Sequence, residues 1–210
     1  MTHSTDQPSG TLDDTQRRPV SRSQRSRFWR VLTIGTLALL LVGAGWLFSR
    51  PLTRPYRSDA ALGRGFWHYN QGRYGQAINA FDEAIRINPQ NAAAYYNRGQ
   101  AQYDLGNYEA ALADFSAVIA LHPDYPWVYE ERGQTYLALE RYEEALADFD
   151  HMIALKPQYA LAYFYRAQAH DTLGDVAQAR ADYARFLELY GLDDVRVRLA
   201  RARLEALGGN

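Results

Sequence analysis

The 210-residue chain contains no cysteine. Disulfides, thiolate metal sites and a cysteine nucleophile are thereby excluded, while oxidising and reducing compartments both stay open. Lysine is nearly missing as well: Lys156 stands alone against an abundance of arginine. That imbalance points to GC-rich coding, hence to a bacterium, and carries no mechanism. Net charge is almost absent, at −1, but the balance hides a division. Residues 1–57 hold nine arginines against Asp6, Asp13 and Asp14, giving +6; residues 58–210 hold thirteen arginines and Lys156 against twenty-one acids, giving −7. A basic head suits an anionic membrane face. An acidic body would repel a phosphate backbone, so no nucleic-acid partner is expected.

Catalytic signatures are lacking too. There is no G-x-S-x-G, no Walker A motif and no H-E-x-x-H. His3, His68, His122, His151 and His170 never fall at i, i+4 on one helix face, so ligand spacing for a metal is missing. The carboxylates are scattered in the way solvated helix faces scatter them. The expectation is a chain that is not an enzyme, with no cofactor, no metal and no small-molecule substrate.

What is present begins with a polar segment. Residues 1–27 are rich in Ser, Thr and Arg, show no apolar period and bury nothing, so a disordered basic tail is expected. Val31 to Phe48 then runs eighteen residues without a charge. As a helix it would extend about 27 Å, close to the hydrocarbon thickness of roughly 30 Å. Phe28, Trp29, Trp46 and Phe48 at its two ends suit the membrane interfaces. The expectation is one transmembrane signal-anchor helix over 28–48. Six arginines (Arg17, Arg18, Arg22, Arg25, Arg27, Arg30) precede it and three (Arg50, Arg54, Arg57) follow. This bias favours a single-pass inner-membrane protein with its N-terminus cytoplasmic and its C-terminal domain periplasmic or otherwise extracytoplasmic. The rival is a cleaved signal peptide ending at Val42-Gly43-Ala44. The apolar run exceeds the usual h-region and the preceding tail is long, which favours the anchor. Arg17-Arg18 is a poor twin-arginine signal, being followed by Pro19-Val20. Residues 49–57 (SRPLTRPYR) read as a short linker stiffened by Pro51 and Pro55.

From residue 58 the chain repeats itself at one constant step. Gly65, Gly99, Gly133 and Ala167 set that step, and Ala77, Ala111, Ala145 and Ala179 keep it. So do Phe81, Phe115, Phe149 and Tyr183, and then Pro89, Pro123 and Pro157, with Gly191 closing the series. Such a period marks a helical array. The small residues suit a close crossing of two antiparallel helices, and the large rings suit the space between them. The prolines stop each second helix. Gly72, Gly106 and Gly174 punctuate the turn inside each unit, with Glu140 in the third. Four units follow, 58–91, 92–125, 126–159 and 160–193. Residues 194–210 add a capping helix and tail, with Asp193 as N-cap and Val195, Leu199, Ala202 and Ala206 along one face, flanked by Val197, Leu204 and Leu207.

This pattern resembles the tetratricopeptide repeat, W-x2-L-G-x2-Y, then A-x3-F, then P. Tyr95-x2-Arg98-Gly99 and Tyr129-x2-Arg132-Gly133-x2-Tyr136 match well. The first unit departs at Ala61 and His68, and the fourth lacks the glycine and the proline. The resemblance implies an all-α fold, a solenoid of antiparallel helix pairs with a C-terminal cap, here preceded by the transmembrane helix. It also implies that the first helix of each unit lines a concave, partner-binding face. On this sequence that groove would be Phe66, Tyr69, Asn70, Tyr96, Asn97, Gln100, Tyr103, Trp127, Glu130, Gln134, Leu137, Phe164 and Gln168. Asn and Gln offer donor and acceptor together, and aromatic rings supply anchoring area. A clamp for an acidic chaperone C-terminus is not expected, because Leu62, Phe66, Trp127 and Glu131 stand where Lys, Arg and Asn would be needed, and only Asn97 fits.

Arg64, Arg98, Arg132 and Arg166 also recur at the repeat step, as do Asp114, Asp148 and Asp182. They read as a structural ladder, with Asp114 pairing to Arg132 and Asp148 to Arg166, in preference to an anion-binding stripe. The expected function is a membrane-tethered, non-enzymatic scaffold for envelope complex assembly. It would bind a protein or peptide, and self-association stays open. The alternative is an accessory or regulatory subunit of a membrane enzyme, docked through small residues Gly35, Gly43, Ala44 and Gly45 of the span, although no G-x-x-x-G is present.

Overall fold

Nine α-helices and no strand make up the described residues, 54–208, of the computed structural model. In chain order they are α1 (Arg54–Asn70), α2 (Tyr74–Ile87), α3 (Ala92–Asp104), α4 (Tyr108–Leu121), α5 (Pro126–Ala138), α6 (Tyr142–Leu155), α7 (Ala160–Leu173), α8 (Val176–Leu189) and α9 (Val195–Gly208). The expected tail over 1–27, the span over 28–48 and linker residues 49–53 lie outside the described residues. Among the described residues no helix is long and apolar enough to cross a membrane. Helix α1 begins at Arg54, inside the segment read as linker. Pro55 sits in its first turn, where the missing N–H has no intrahelical role.

Each odd-numbered helix packs on the even-numbered helix that follows, and that helix packs on the next odd one. The first helices α1, α3, α5 and α7 also approach one another in succession, so they form a continuous row. Within each pair, one aromatic ring lies under one small residue. Phe81, Phe115, Phe149 and Tyr183 are all essentially inaccessible. A Cβ added at Gly65 would sit 2.3 Å from the Phe81 ring; at Gly99 or Gly133 the distance to Phe115 or Phe149 would be 2.8 Å. No side chain fits there without moving a ring, which is why the repeat holds glycine at these crossings.

The turns inside the units share one geometry. Gly72, Gly106 and Gly174 have φ of 69°, 77° and 82°, and Glu140 occupies the same left-handed region at 57°. Behind each of these positions the next N–H reaches back to a helix carbonyl, as Arg73 to His68 (3.0 Å) and Arg141 to Tyr136 (2.9 Å). The second helices end at Ile87, Leu121 and Leu155, two residues before Pro89, Pro123 and Pro157.

The closing helix departs from expectation in two ways. Its cap is Asp194, whose Oδ1 accepts from the N–H groups of Arg196 (2.9 Å) and Val197 (3.3 Å). Its buried face is Val197 and Ala200, with Leu204 and Leu207 packed beside them against Tyr183 and Phe186. Val195 and Leu199 face solvent, at 66% and 41% exposure. The stripe one step round the helix makes the contact, since it presents the bulkier Leu204 and Leu207 to the last pair.

Candidate partner-binding groove

The arginine ladder is structural, and its partners differ from those the spacing suggested. Arg98 donates from Nε and Nη2 to Asp114 at 2.9 and 2.6 Å, Arg132 to Asp148 at 2.8 and 2.7 Å, and Arg166 to Asp182 at 2.7 and 2.7 Å. Every pair lies within one unit, sixteen residues apart. An antiparallel hairpin brings the middles of its two helices together, and that contact decides the partner. The remaining Nη1 reaches back to the preceding unit, at Asp82, Ser116 and Asp150. Each arginine thus ties its own first helix to two second helices. Hydrogen bonding to Asp114 raises the Arg98 pKa; burial pushes the Asp114 and Asp148 carboxyls up, and the guanidinium offsets part of that. With both faces so committed, the ladder has no free edge for an anion. Arg64 is different: its position opposite Ala80 offers no carboxylate, and it makes an exposed pair with Glu83.

On the row of first helices a cleft of about 650 Å³ opens between units one and two. Phe66, Tyr96, Asn97 and Gln100, all singled out in the sequence, line it, together with Ala92, Ala93, Val118, His122 and Tyr125. Phe66 is 51% exposed, a large apolar ring standing open on this face. Tyr96 stacks edge-on against Tyr125 at 5.8 Å and Phe115 at 6.0 Å, which fixes one wall.

Beyond the cleft the face turns polar. The Tyr96 hydroxyl and the Gln100 amide both donate to Glu131 Oε1, at 3.1 and 3.3 Å. The Tyr159 hydroxyl and the Gln134 amide both donate to Glu130 Oε1, at 2.9 and 3.4 Å. Burial pushes the Glu130 carboxyl up to about 7, with the Tyr159 hydroxyl working against the shift. Burial also raises Glu131. Tyr96 and Tyr159 titrate well above the usual phenol range, first through burial and then through these carboxylates.

The other expected groove residues divide. Trp127 is 38% exposed and packs edge-on to Tyr159 at 5.0 Å. Tyr69 donates to Asp104 at 2.7 Å, and Tyr103 lies against Tyr108. Asn70 is exposed, Leu137 is half-buried, and Gln168 borders a shallower depression with Asp171, Thr172 and Arg203. Two residues are not free lining. Phe164 is 3% exposed inside the core with Tyr183 and Phe186, because the last pair closes over it. Glu130 is buried at the floor. Sequence reasoning left out Tyr125 and Tyr159, and placed Glu131 on this face only as a residue unfit for a carboxylate clamp. Glu131 holds the place of Asn97 one repeat on, and Tyr125 and Tyr159 are themselves one repeat apart, so the period carried the signal.

A stacked row of helix pairs with an open, aromatic and polar inner face is the architecture of a helical-repeat binding domain. The Tetratricopeptide repeat family model matches residues 68–126 and 130–194, more than half of the chain, and the chain belongs to that family. No curated protein sequence matches it. Among solved structures it is similar to a tetratricopeptide repeat protein from Parabacteroides merdae ATCC 43184, at 25% identity and TM-score 0.66, over 73% of this chain and 61% of that one. It is similar to the first TPR domain of Spaghetti (RPAP3) bound to the HSP90 peptide SRMEEVD, at 25% identity and TM-score 0.54, over 57% of this chain and 98% of that one. The Arabidopsis OM64 TPR domain matches at 29% identity and TM-score 0.54, over 56% and 98%.

Proposed function

We propose that the chain is a non-enzymatic interaction scaffold that holds a protein or peptide partner along its row of first helices. The observation that carries this reading is the cleft between units one and two, walled by Phe66, Tyr96 and Tyr125 and continuous with the polar floor at Glu130 and Glu131. Exposed rings beside amide side chains give anchoring area and backbone pairing together. That a related repeat domain was solved with a peptide bound supports peptide binding as the mode. A photo-crosslinking residue placed at Trp127 or Tyr103 in intact cells should capture a discrete partner. The same residue at exposed Ala113 or Ala147 on the second helices should not. Equal capture from both faces would refute the groove.

The scaffold is further proposed to be tethered through residues 28–48, with the repeat domain on the extracytoplasmic side of the inner membrane, serving envelope complexes. The uncharged run and the arginine bias support this. Alkaline carbonate should leave the chain in the membrane pellet. A mature chain starting at Gly45 would overturn the tether.

A further inference from the structure

The polar floor of the groove is left incomplete by the chain itself. Glu130 and Glu131 are neighbours on α5, and each takes both of its hydrogen bonds on Oε1. Among the described residues no donor reaches either Oε2, and no arginine, lysine or histidine pairs with either carboxylate. Glu130 is nevertheless nine-tenths buried. Neither Oε2 is sealed in the interior, so each stays open to a donor from outside the chain.

The arginines of the repeat ladder and of the closing helix that form ion pairs are held by other acids. Arg98, Arg132 and Arg166 are held by the second helices, Arg203 by Asp171 and Arg196 by Asp194. Asp104, at the end of α3, adds a third acid that accepts only from Tyr69. The Tyr96 and Tyr159 hydroxyls border the same floor and orient the two carboxylates. The cleft next to it is apolar, through Phe66, Val118 and Tyr125.

We infer that the partner segment is cationic: an arginine or lysine side chain seats against Glu130 and Glu131, and an apolar neighbour in the partner fills the adjoining cleft. The inference rests on the groove reading and names the chemistry of what the groove takes. The bound cation supplies the missing counter-charge to both carboxylates. It contrasts with the acidic peptide SRMEEVD held by the related Spaghetti domain. A cation bound there favours the ionised form of Glu130, opposing the burial that raises its carboxyl to about 7.

The test is selection of a random twelve-residue peptide library displayed on phage, against the immobilised full-length chain in detergent and against its Glu130→Gln/Glu131→Gln double variant. Glutamine keeps an acceptor for Tyr96 and Tyr159 and removes the charge, so the variant stays folded, as far-UV circular dichroism verifies. With the wild type, arginine or lysine should be enriched roughly tenfold at one fixed position beside an apolar residue, as a charge-assisted bond to carboxylate warrants. With the double variant that enrichment should vanish while the apolar preference persists. Peptides enriched without a basic residue, enriched in acids, or equally basic with the double variant would overturn the cationic partner and leave the groove standing. Failure of the wild type to enrich any peptide would overturn both.

Discussion

Replacing Asp148 by alanine removes the acceptor of a bidentate pair that the fold keeps almost dry. The Asp148 side chain is 5% exposed and that of Arg132 is 20%. After the substitution the guanidinium keeps one bond, to Ser116 at 3.1 Å, and its place over the Tyr129 and Tyr136 rings. Breaking a buried pair costs about 3–5 kcal/mol, and the residual exposure of Arg132 brings the expectation to about 2–4 kcal/mol. For a domain of this size that is a fall in Tm of roughly 4–16 °C. The exposed pair Arg64–Glu83 is the internal control, and Glu83→Ala should cost no more than ~1 kcal/mol. Urea unfolding followed by circular dichroism reads both. A double-mutant cycle then names the partner. Asp148→Ala with Arg132→Met should be non-additive by about 1.5–3 kcal/mol, whereas with Arg166→Met it should be additive within about 0.5 kcal/mol. A cost no larger than that of Glu83→Ala, or coupling to Arg166 instead, would refute the pairing.

Three further outcomes follow from particular residues. Glu140 is the one non-glycine in the left-handed turn position among the described residues, so Glu140→Gly should raise stability by about 1 kcal/mol, seen as a higher Tm; a lower Tm would contradict it. Gly133→Val must displace the Phe149 ring and should cost about 3 kcal/mol by urea unfolding, and a neutral result would show that the crossing is loose. Glu130 binds its proton up to about pH 7 in the folded chain, against an ordinary value of 4.5. The folded state therefore holds more protons between those limits, and the stability from this group is fully present below pH 4.5 and lost as pH rises through 7. Wild type should lose up to roughly 3 kcal/mol relative to Glu130→Gln over that window. Parallel pH–stability curves would refute the shift.

Most of the fold was legible because the repeat prints its packing in residue size. A glycine at one position of each unit, opposite a phenylalanine at another, describes a helix crossing whose geometry permits little else. The pairing of charges was not legible. Asp148 lies sixteen residues after Arg132 and eighteen before Arg166, and only the hairpin contact separates the two options. In α9 two apolar stripes lie side by side, and the sequence does not say which meets Tyr183 and Phe186. In the groove, period located the lining but not its depth. Tyr96, Glu130 and Phe164 occupy one repeat position, yet they lie in the cleft wall, on the floor and in the core, because the residues stacked above each differ. The polar floor was missed at Glu131, whose donors Tyr96 and Gln100 come from the preceding unit.

The proposed binding mode places the partner along the first helices α1, α3 and α5, around the cleft of Phe66, Tyr96 and Tyr125, and away from the outer faces of the second helices. Hydrogen–deuterium exchange of the full-length chain, with and without a peptide selected on it, tests this directly. Slowed exchange should concentrate in α1, α3 and α5 and in the cleft-bordering stretch from Val118 to Tyr125, with α2, α6 and α8 unchanged. Protection confined to the second helices would contradict the account.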